Sequence, residues 1–302
     1  MMTSQESESA LLDPGRLSLI DDLSLVARLV ARGIRSGMHR SLMQGRGNEF
    51  FQYRSYAPGE DLKNIDWRVF AKRDELVTKT YHEDTNLNLL LILDASASMA
   101  YQGDDSSCSK FRYLQMIAAS LAYLAQQQGD RVGLFGGSES SVDWVRPMGG
   151  RAALHRLILG IASMKPQGRD IEPAAWERFN AVVPPDSMVV VLSDFLDGEE
   201  AWADRLRFAQ SVRYDCLSLQ ILDPDEFSLP RSDALRFVDM EGGEELSASP
   251  ELIRSEYLTK MNNFRDGLRQ KMHSGGAHFD SVRTDMNLAH ALRRFIEHRS
   301  KK

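Results

Sequence analysis

The chain has 302 residues, of which 42% are hydrophobic and 26% charged, and its formal net charge at pH 7 is −6. This length suits one large domain or two small ones, and the composition is that of an ordinary globular protein. The negative charge argues against a surface that binds nucleic acid all over. The two cysteines, Cys108 and Cys216, form no CxxC pair, which excludes a cysteine-based zinc site and suits a reducing compartment.

The sequence carries no signal of a membrane location. No apolar run approaches 18 residues, so no transmembrane helix is expected. The first 14 residues are polar and acidic and lack the apolar segment of a signal peptide. We therefore predict a cytoplasmic protein in three parts: a disordered tail at 1–16, an N-terminal helix and arm at 17–85, and a main domain at 86–302.

The N-terminal part combines an amphipathic helix with a basic arm. Apolar residues recur every three or four positions from Leu19 to Leu42, which predicts a helix whose apolar face docks on the chain itself or on a partner. Residues 44–74 are rich in arginine and aromatic residues, and we predict an irregular segment. Between Arg28 and Arg73 there are ten basic and four acidic residues, which gives a local charge of +6. This charge suits the acidic body of the same chain, an acidic partner or nucleic acid.

Beyond residue 75, strand-like runs alternate with helical patterns. We predict strands at 76–81, 87–94, 131–135, 142–145, 188–192, 216–222 and 277–282, and a small hairpin at 235–246. We predict helices at 111–127, 152–164, 173–183, 202–212, 252–272 and 288–298. Strands that alternate with helices indicate an α/β fold with a doubly wound, mainly parallel sheet flanked by helices.

The apolar run that ends at Leu93 is followed by Asp94-Ala95-Ser96-Ala97-Ser98. A short apolar run of this kind is typical of a strand buried on both faces, and ligands bind beyond the carboxyl ends of such strands. One carboxylate and two hydroxyls on one loop could hold Mg²⁺, which prefers oxygen ligands. The pattern is also that of a simple helix N-cap. Two later strands end in Ser193-Asp194 and in Asp223, and we expect Asp94 and Asp194 to share one crevice.

This pattern resembles the metal-ion-dependent adhesion site of von Willebrand factor A domains. The resemblance implies that Asp94, Ser96, Ser98 and Asp194 hold Mg²⁺ or Mn²⁺. The adhesion site has a threonine in its second loop, where this chain has Arg169. A guanidinium group cannot ligate a cation, but it could pair with Asp94 or Asp194 and replace the charge of the metal.

A second signature lies in the arm, in the segments Gly45–Phe50, Arg54–Asp61 and Ile65–Arg68. It resembles the bacterial and archaeal family called domain of unknown function 58, whose members are similar to von Willebrand A domains and are typically encoded with MoxR-type AAA+ ATPases. The signature residues form either an internal ion-pair network or a partner surface: Arg54, Tyr56, Gly59, Asp61, Asp66, Trp67 and Arg68.

The resemblance implies a non-enzymatic interaction module that partners a MoxR-type ATPase in the assembly or maturation of another protein complex. The client is not named by any residue pattern. One alternative is a metal-dependent hydrolase that uses Asp94 and Asp194, although no general base is evident. Another is RNA binding through the basic arm. No GxxxxGK[ST], HExxH or GxSxG pattern occurs, so we expect no bound nucleotide, zinc centre or hydrolase elbow.

Overall fold

A computed structural model describes residues 12–37, 50–55, 69–70, 76–81, 87–139, 141–169, 171–185, 187–196, 202, 205, 215–229, 235–238, 240 and 245–299. The helices are α1 (Pro14–Ser18), α2 (Leu23–Gly37), α3 (Lys110–Gln127), α4 (Arg151–Ser163), α5 (Pro173–Val182), α6 (Pro224–Ser228), α7 (Pro250–Ser274) and α8 (Leu288–Arg299). The strands are β1 (Phe50–Ser55), β2 (Val77–Tyr81), β3 (Asn88–Asp94), β4 (Arg131–Ser138), β5 (Ser141–Met148), β6 (Ser187–Ser193), β7 (Asp215–Leu222), β8 (Leu235–Val238), β9 (Glu245–Ala248) and β10 (His278–Arg283).

Six of these strands form one sheet in the order β10-β7-β6-β3-β4-β5. All neighbours in it are parallel except β5, which turns back antiparallel against β4. The central strand β3 lies between β6 and β4. The structure therefore confirms the predicted α/β fold with a doubly wound, mainly parallel sheet.

Alternate residues of β3 supply two separate apolar cores. Leu89, Leu91 and Leu93 belong to the core under α2, α3, α4 and α8, while Leu90 and Ile92 belong to the core that includes residues of α5 and α7. Successive side chains of a strand point to opposite faces, so one continuous apolar run can serve both cores. The sheet is thus covered on both faces, and only its edges and strand ends are left for binding.

Two antiparallel pairs lie outside this sheet. β8 pairs with β9, which confirms the small hairpin predicted at 235–246. β1 pairs with β2, so residues 50–55 are a strand and our prediction of an irregular segment there is wrong. The pairing joins residues far apart in the chain, and no local turn signal announces it.

The N-terminal helix packs on the chain itself. Its face formed by Leu23, Val26, Val30 and Ile34 is buried in the same core as α3 and α8. The helix begins at Leu23 and not at the predicted Leu19, because Asp22 accepts hydrogen bonds from the first-turn N–H groups of Ser24 and Leu25 and so starts it. The last predicted residues, 38–42, lie outside the described residues.

A short helix precedes it within the predicted tail. α1 begins at Pro14 under a cap from Asp13, and Leu12 and Leu17 are buried. Among the described residues, no helix is long and apolar enough to cross a bilayer.

The packing of α2 predicts a clear stability difference between two substitutions. Ile34 is 0% exposed and Leu19 is 84% exposed. Ile34→Ala should lower the free energy of unfolding by about 2–5 kcal/mol, because it leaves a cavity in the core. Leu19→Ala should change it by no more than about 0.5 kcal/mol. Urea unfolding of both variants measures this, and an Ile34→Ala variant as stable as Leu19→Ala would contradict packing of α2 on the body.

Candidate binding site at the carboxyl edge of the sheet

The strand register brings the ends of β3 and β6 side by side. Leu93 pairs with Leu192 in the parallel ladder, so Asp94 and Ser193 follow at the same level. The Ser193 hydroxyl donates to Asp94 Oδ2 at 2.6 Å, and the backbone N–H of Ser96 donates to Asp94 Oδ1 at 2.8 Å. Asp94 is thereby fixed from two strands at once.

A second bond joins the same two loops in the opposite direction. The Ser98 hydroxyl donates to Asp194 Oδ2 at 2.8 Å, and Ser96 Oγ lies 3.1 Å from Ser98 Oγ. Asp194 Oδ1 accepts the N–H of Leu196 at 3.1 Å. The four predicted ligands Asp94, Ser96, Ser98 and Asp194 therefore meet in one hydrogen-bonded cluster.

Backbone contacts hold the surrounding loops rigid. The N–H of Ala97 donates to the carbonyl of Gly168 at 2.8 Å, and the N–H of Gln167 donates to that of Ala95 at 2.9 Å. On the other side, Phe195 is buried with φ 57°, and its N–H donates to Ser193 Oγ at 2.9 Å. A buried aromatic residue with positive φ marks a backbone that the surrounding packing strongly constrains.

A buried lysine completes the cluster. Lys110, the first residue of α3, is 1% exposed, and its Nζ lies 2.7 Å from Asp194 Oδ2 and 2.7 Å from Glu226 Oε1. Sequence reasoning missed both Lys110 and Glu226. The nearest sequence signal is the N-cap Ser109, which places Lys110 at a helix start but not beside Asp194.

Arg169 lies near the site but not in the hydrogen-bonded cluster. It is exposed, and within the described part of the chain it forms no ion pair with Asp94 or Asp194. Its backbone instead exchanges hydrogen bonds with Glu139, at 3.2 Å through Glu139 Oε1 and at 2.9 Å through the Glu139 N–H. The cation that touches Asp194 is the ammonium of Lys110.

Asp223, the third acid predicted at this edge, accepts hydrogen bonds from the loop that contains Gly103 and Ser106. It is buried and accepts the N–H of Gly103 at 3.1 Å, the hydroxyl of Ser106 at 2.6 Å and the N–H of Asp225 at 3.0 Å. Its own N–H donates to Glu226 Oε2 at 2.7 Å in a capping box at the start of α6. Glu226 therefore links the end of β7 to Lys110.

Burial and charge shift the acid–base properties of these groups. Burial raises the pKa of Asp94 to about 6, with a further rise from the charge of Asp194, while hydrogen bonds from Ser193 and Ser96 oppose it. Burial also raises the pKa of Glu226, against the lowering effect of Lys110. Burial acts to lower the pKa of Lys110, but Asp194 and Glu226 more than reverse this, so the ammonium stays charged.

The donor set fits a small divalent cation. Carboxylate and hydroxyl oxygens are the ligands that Mg²⁺ takes in proteins, and Mg²⁺ usually keeps several waters. Asp194 and Glu226 share the ammonium of Lys110, and Asp94 adds a third carboxylate close enough to Asp194 to feel its charge, which leaves negative charge for an ion to neutralise. Within the described ranges no group of three or more His, Cys, Asp or Glu side chains is arranged to hold a metal by itself, so Ser96 and Ser98 would have to complete the shell.

Most residues of the arm signature cannot be placed relative to this site. Arg54 lies in β1, of which the structure gives the backbone. The other six lie outside the described residues: Tyr56, Gly59, Asp61, Asp66, Trp67 and Arg68.

The mainly parallel sheet, with apolar cores on both faces, defines a doubly wound α/β domain. Within this class, the sequence profile of the family described as "Protein of unknown function DUF58" matches residues 52–266. The chain belongs to this family, which confirms the resemblance seen in its motifs.

One relative matches almost the whole chain and another matches a short stretch of it. The uncharacterized protein Rv1480 of Mycobacterium tuberculosis is 27% identical over 292 residues, which cover 95% of this chain and 90% of that protein. The uncharacterized protein YeaD of Bacillus subtilis is 35% identical over 49 residues, 16% of this chain and 12% of that protein.

Two crystal structures are similar over about the same share of the chain. The conserved hypothetical protein BatB from Bacteroides thetaiotaomicron has a TM-score of 0.49 and 14% identity, with 72% of this chain and 100% of that one covered. The VWA domain of SpRpn10 has a TM-score of 0.40 and 12% identity, with 70% and 95% covered.

The two site carboxylates should respond oppositely to neutralisation. The folded pKa of Asp94, about 6, lies above its ordinary value of 3.8, so ionisation of Asp94 favours the unfolded state. The stability that the protonated carboxyl contributes is complete below about pH 4 and is lost as the pH rises through about 6. Asp94→Asn should therefore be more stable than the wild type at pH 8 in EDTA, with a gap that closes as the pH falls toward 4. Asp194→Asn should be less stable at pH 8 by about 1.5–3 kcal/mol, because Lys110 loses a charged partner.

Urea unfolding of both variants and the wild type at pH 8, 6 and 4 measures these differences. If Asp94→Asn were the less stable protein at pH 8, the site would not carry the unfavourable carboxylate pair described here.

Proposed function

We propose that this chain is a non-enzymatic interaction module that docks a protein partner at the carboxyl edge of its sheet. The observation that carries the proposal is the convergence of Asp94, Ser96, Ser98 and Asp194 on one hydrogen-bonded cluster, with Ser98 Oγ 2.8 Å from Asp194 Oδ2. Loops at the carboxyl edge of an open α/β sheet are where such folds bind ligands. Leu196 lies two residues after Asp194 and is 39% exposed, which offers an apolar contact beside the polar cluster.

The arrangement of the cluster supports binding rather than hydrolysis. A general base must be free to accept a proton from water or substrate. Lys110 is held as an ammonium between Asp194 and Glu226, and Asp94 accepts hydrogen bonds on both oxygens. Because each group is engaged within the protein, the cluster acts as a fixed polar platform.

We propose that Mg²⁺ or Mn²⁺ binds at Asp94, Ser96, Ser98 and Asp194. When bound, the ion supplies an open coordination position to a carboxylate of the partner. The protein contributes the placement of the ligands: β3 and β6 fix the two carboxylates, and the hydrogen bonds between the loops fix the hydroxyls.

The partner that we propose is a MoxR-type AAA+ ATPase, and the joint task is the assembly or maturation of another protein complex. The support is the membership of this chain in the DUF58 family together with the resemblance that links such proteins to these ATPases. The exposed residues around the cluster, Leu196 and Arg169, are the positions where we expect contact.

A capture experiment tests this proposal. The tagged chain, incubated with a MoxR-type ATPase of the same organism in Mg²⁺, should retain it, and EDTA should release it. Ser98→Ala should reduce retention by about tenfold or more, because it removes a ligand and the bond to Asp194. Ser274→Ala is the matched control, since Ser274 is exposed and ends α7 at the opposite edge of the sheet, just before β10.

Each outcome tests one part of the proposal. Full retention by Ser98→Ala would contradict docking at this edge. Retention of the ATPase in EDTA would contradict the proposal that docking needs the ion. Failure of the wild type to retain the ATPase would contradict the proposed partner.

A further inference from the structure

A largely buried ion-pair group of Lys110, Asp194 and Glu226 lies next to the proposed docking site. Lys110 is 1% exposed and bridges Asp194 and Glu226, each at 2.7 Å. A lysine is rarely buried to this extent unless carboxylates pair with it. Breaking such a group by removing one member leaves an uncompensated charge in the interior.

This ion-pair group shares an atom with the proposed ion site. Asp194 Oδ2 accepts both the Ser98 hydroxyl at 2.8 Å and the Lys110 ammonium at 2.7 Å. A carboxylate oxygen has two lone pairs, so both are engaged. A cation that binds Asp194 through Oδ2 must therefore compete with a positive charge that is already in contact with this oxygen, and one that binds through Oδ1 is repelled by the same charge.

The same bonds keep the site assembled by itself. Each side-chain oxygen of Asp94, Ser96, Ser98 and Asp194 has a hydrogen-bond partner within the protein. A buried polar group with a partner carries no penalty that a ligand would relieve. The cluster therefore does not depend on an ion for its geometry.

We propose that Lys110 is a resident cation that keeps the divalent-ion affinity of this site low. Lys110 is a positioning residue: it holds Asp194 in place through Asp194 Oδ2 and repels an incoming ion. Glu226 acts in the opposite sense, because it offsets part of the charge of Lys110. This inference rests on the proposed docking site and gives its regulation: the site is preformed and takes up the ion only at high concentration.

The formal charges of the group allow variants to be designed that raise, lower or preserve its net charge. With its acids ionised, the group of Asp94, Asp194, Glu226 and Lys110 carries a net charge of −2. Lys110→Met makes the group more negative and Glu226→Gln makes it less negative. The double variant Lys110→Met/Glu226→Gln restores the net charge of the wild type but removes the ammonium from Asp194. The double variant therefore shows whether the contact of the ammonium with Asp194, or the total charge of the group, sets the ion affinity.

The experiment is a calorimetric titration of the full chain with Mn²⁺ and with Mg²⁺ alone. We expect Lys110→Met to bind Mn²⁺ about tenfold or more tightly than the wild type, and Glu226→Gln to bind it several-fold more weakly. The double variant should bind more tightly than the wild type. Lys260→Met is the matched control, because Lys260 forms a 2.6 Å pair with Glu256 on the exposed surface of α7, and its affinity should equal that of the wild type.

The proposal is overturned if Lys110→Met binds Mn²⁺ no more tightly than the wild type, including the case in which neither protein binds the ion. It is also overturned if the double variant matches the wild type, since total charge would then be the cause.

Folding of the variants is checked by near-ultraviolet circular dichroism. Where Lys110→Met does not fold, the double variant carries the test, because it removes the charge of Glu226 together with the ammonium and leaves only Asp194 without its cation. Its thermal midpoint should rise more on addition of saturating Mn²⁺ than that of the wild type. An equal or smaller rise overturns the proposal.

The readouts also separate this inference from the proposed function. Tighter Mn²⁺ binding by Lys110→Met without capture of the ATPase by the wild type would support the role of Lys110 and contradict the proposed partner. If Lys110→Met bound Mn²⁺ with unchanged affinity, and the wild type captured the ATPase while Ser98→Ala did not, the role of Lys110 would be contradicted and the proposed function supported.

Discussion

The contact between Ser98 and Asp194 is the interaction on which the site depends, because it joins two loops that the sheet only brings near each other. The sheet places Asp94 and Ser193 at the same level, and the Ser193–Asp94 bond locks that register. The reverse bond from Ser98 then closes the pair of loops into one unit. Lys110 pairs with Asp194 and with Glu226, so buried ion pairs hold Asp194 in place within the cluster.

This arrangement follows from a general constraint on parallel sheets. Strands buried on both faces leave no sheet surface for recognition, so polar groups concentrate where the strands end. Here the two apolar cores cover both faces, and helix α2 extends one of them. The cost of gathering carboxylates at one point is visible in the raised pKa of Asp94, about 6, which burial and Asp194 cause. The ammonium of Lys110 offsets part of the charge of Asp194 and Glu226.

Much of the fold and part of the site could be predicted from sequence, for identifiable reasons. Apolar runs such as the one before Asp94 and the alternation with helices are local signals, and the carboxyl-edge rule then places Asp94 and Asp194 together. Lys110 could not be predicted, because it reaches Asp194 only through the way α3 packs on the sheet. Glu226 belongs to the short helix α6, which has no periodicity to detect. Asp223 was expected at this edge and lies there, but loop N–H groups and Ser106 occupy its oxygens.

The most direct test of the account is a crystal of the full chain soaked in saturating Mn²⁺ and measured for anomalous scattering. The account predicts a manganese peak within coordination distance of the Ser96 and Ser98 hydroxyls and between Asp94 and Asp194, with Lys110 still in contact with Asp194. A map with no peak at this edge of the sheet, or with manganese bound only elsewhere, would contradict it.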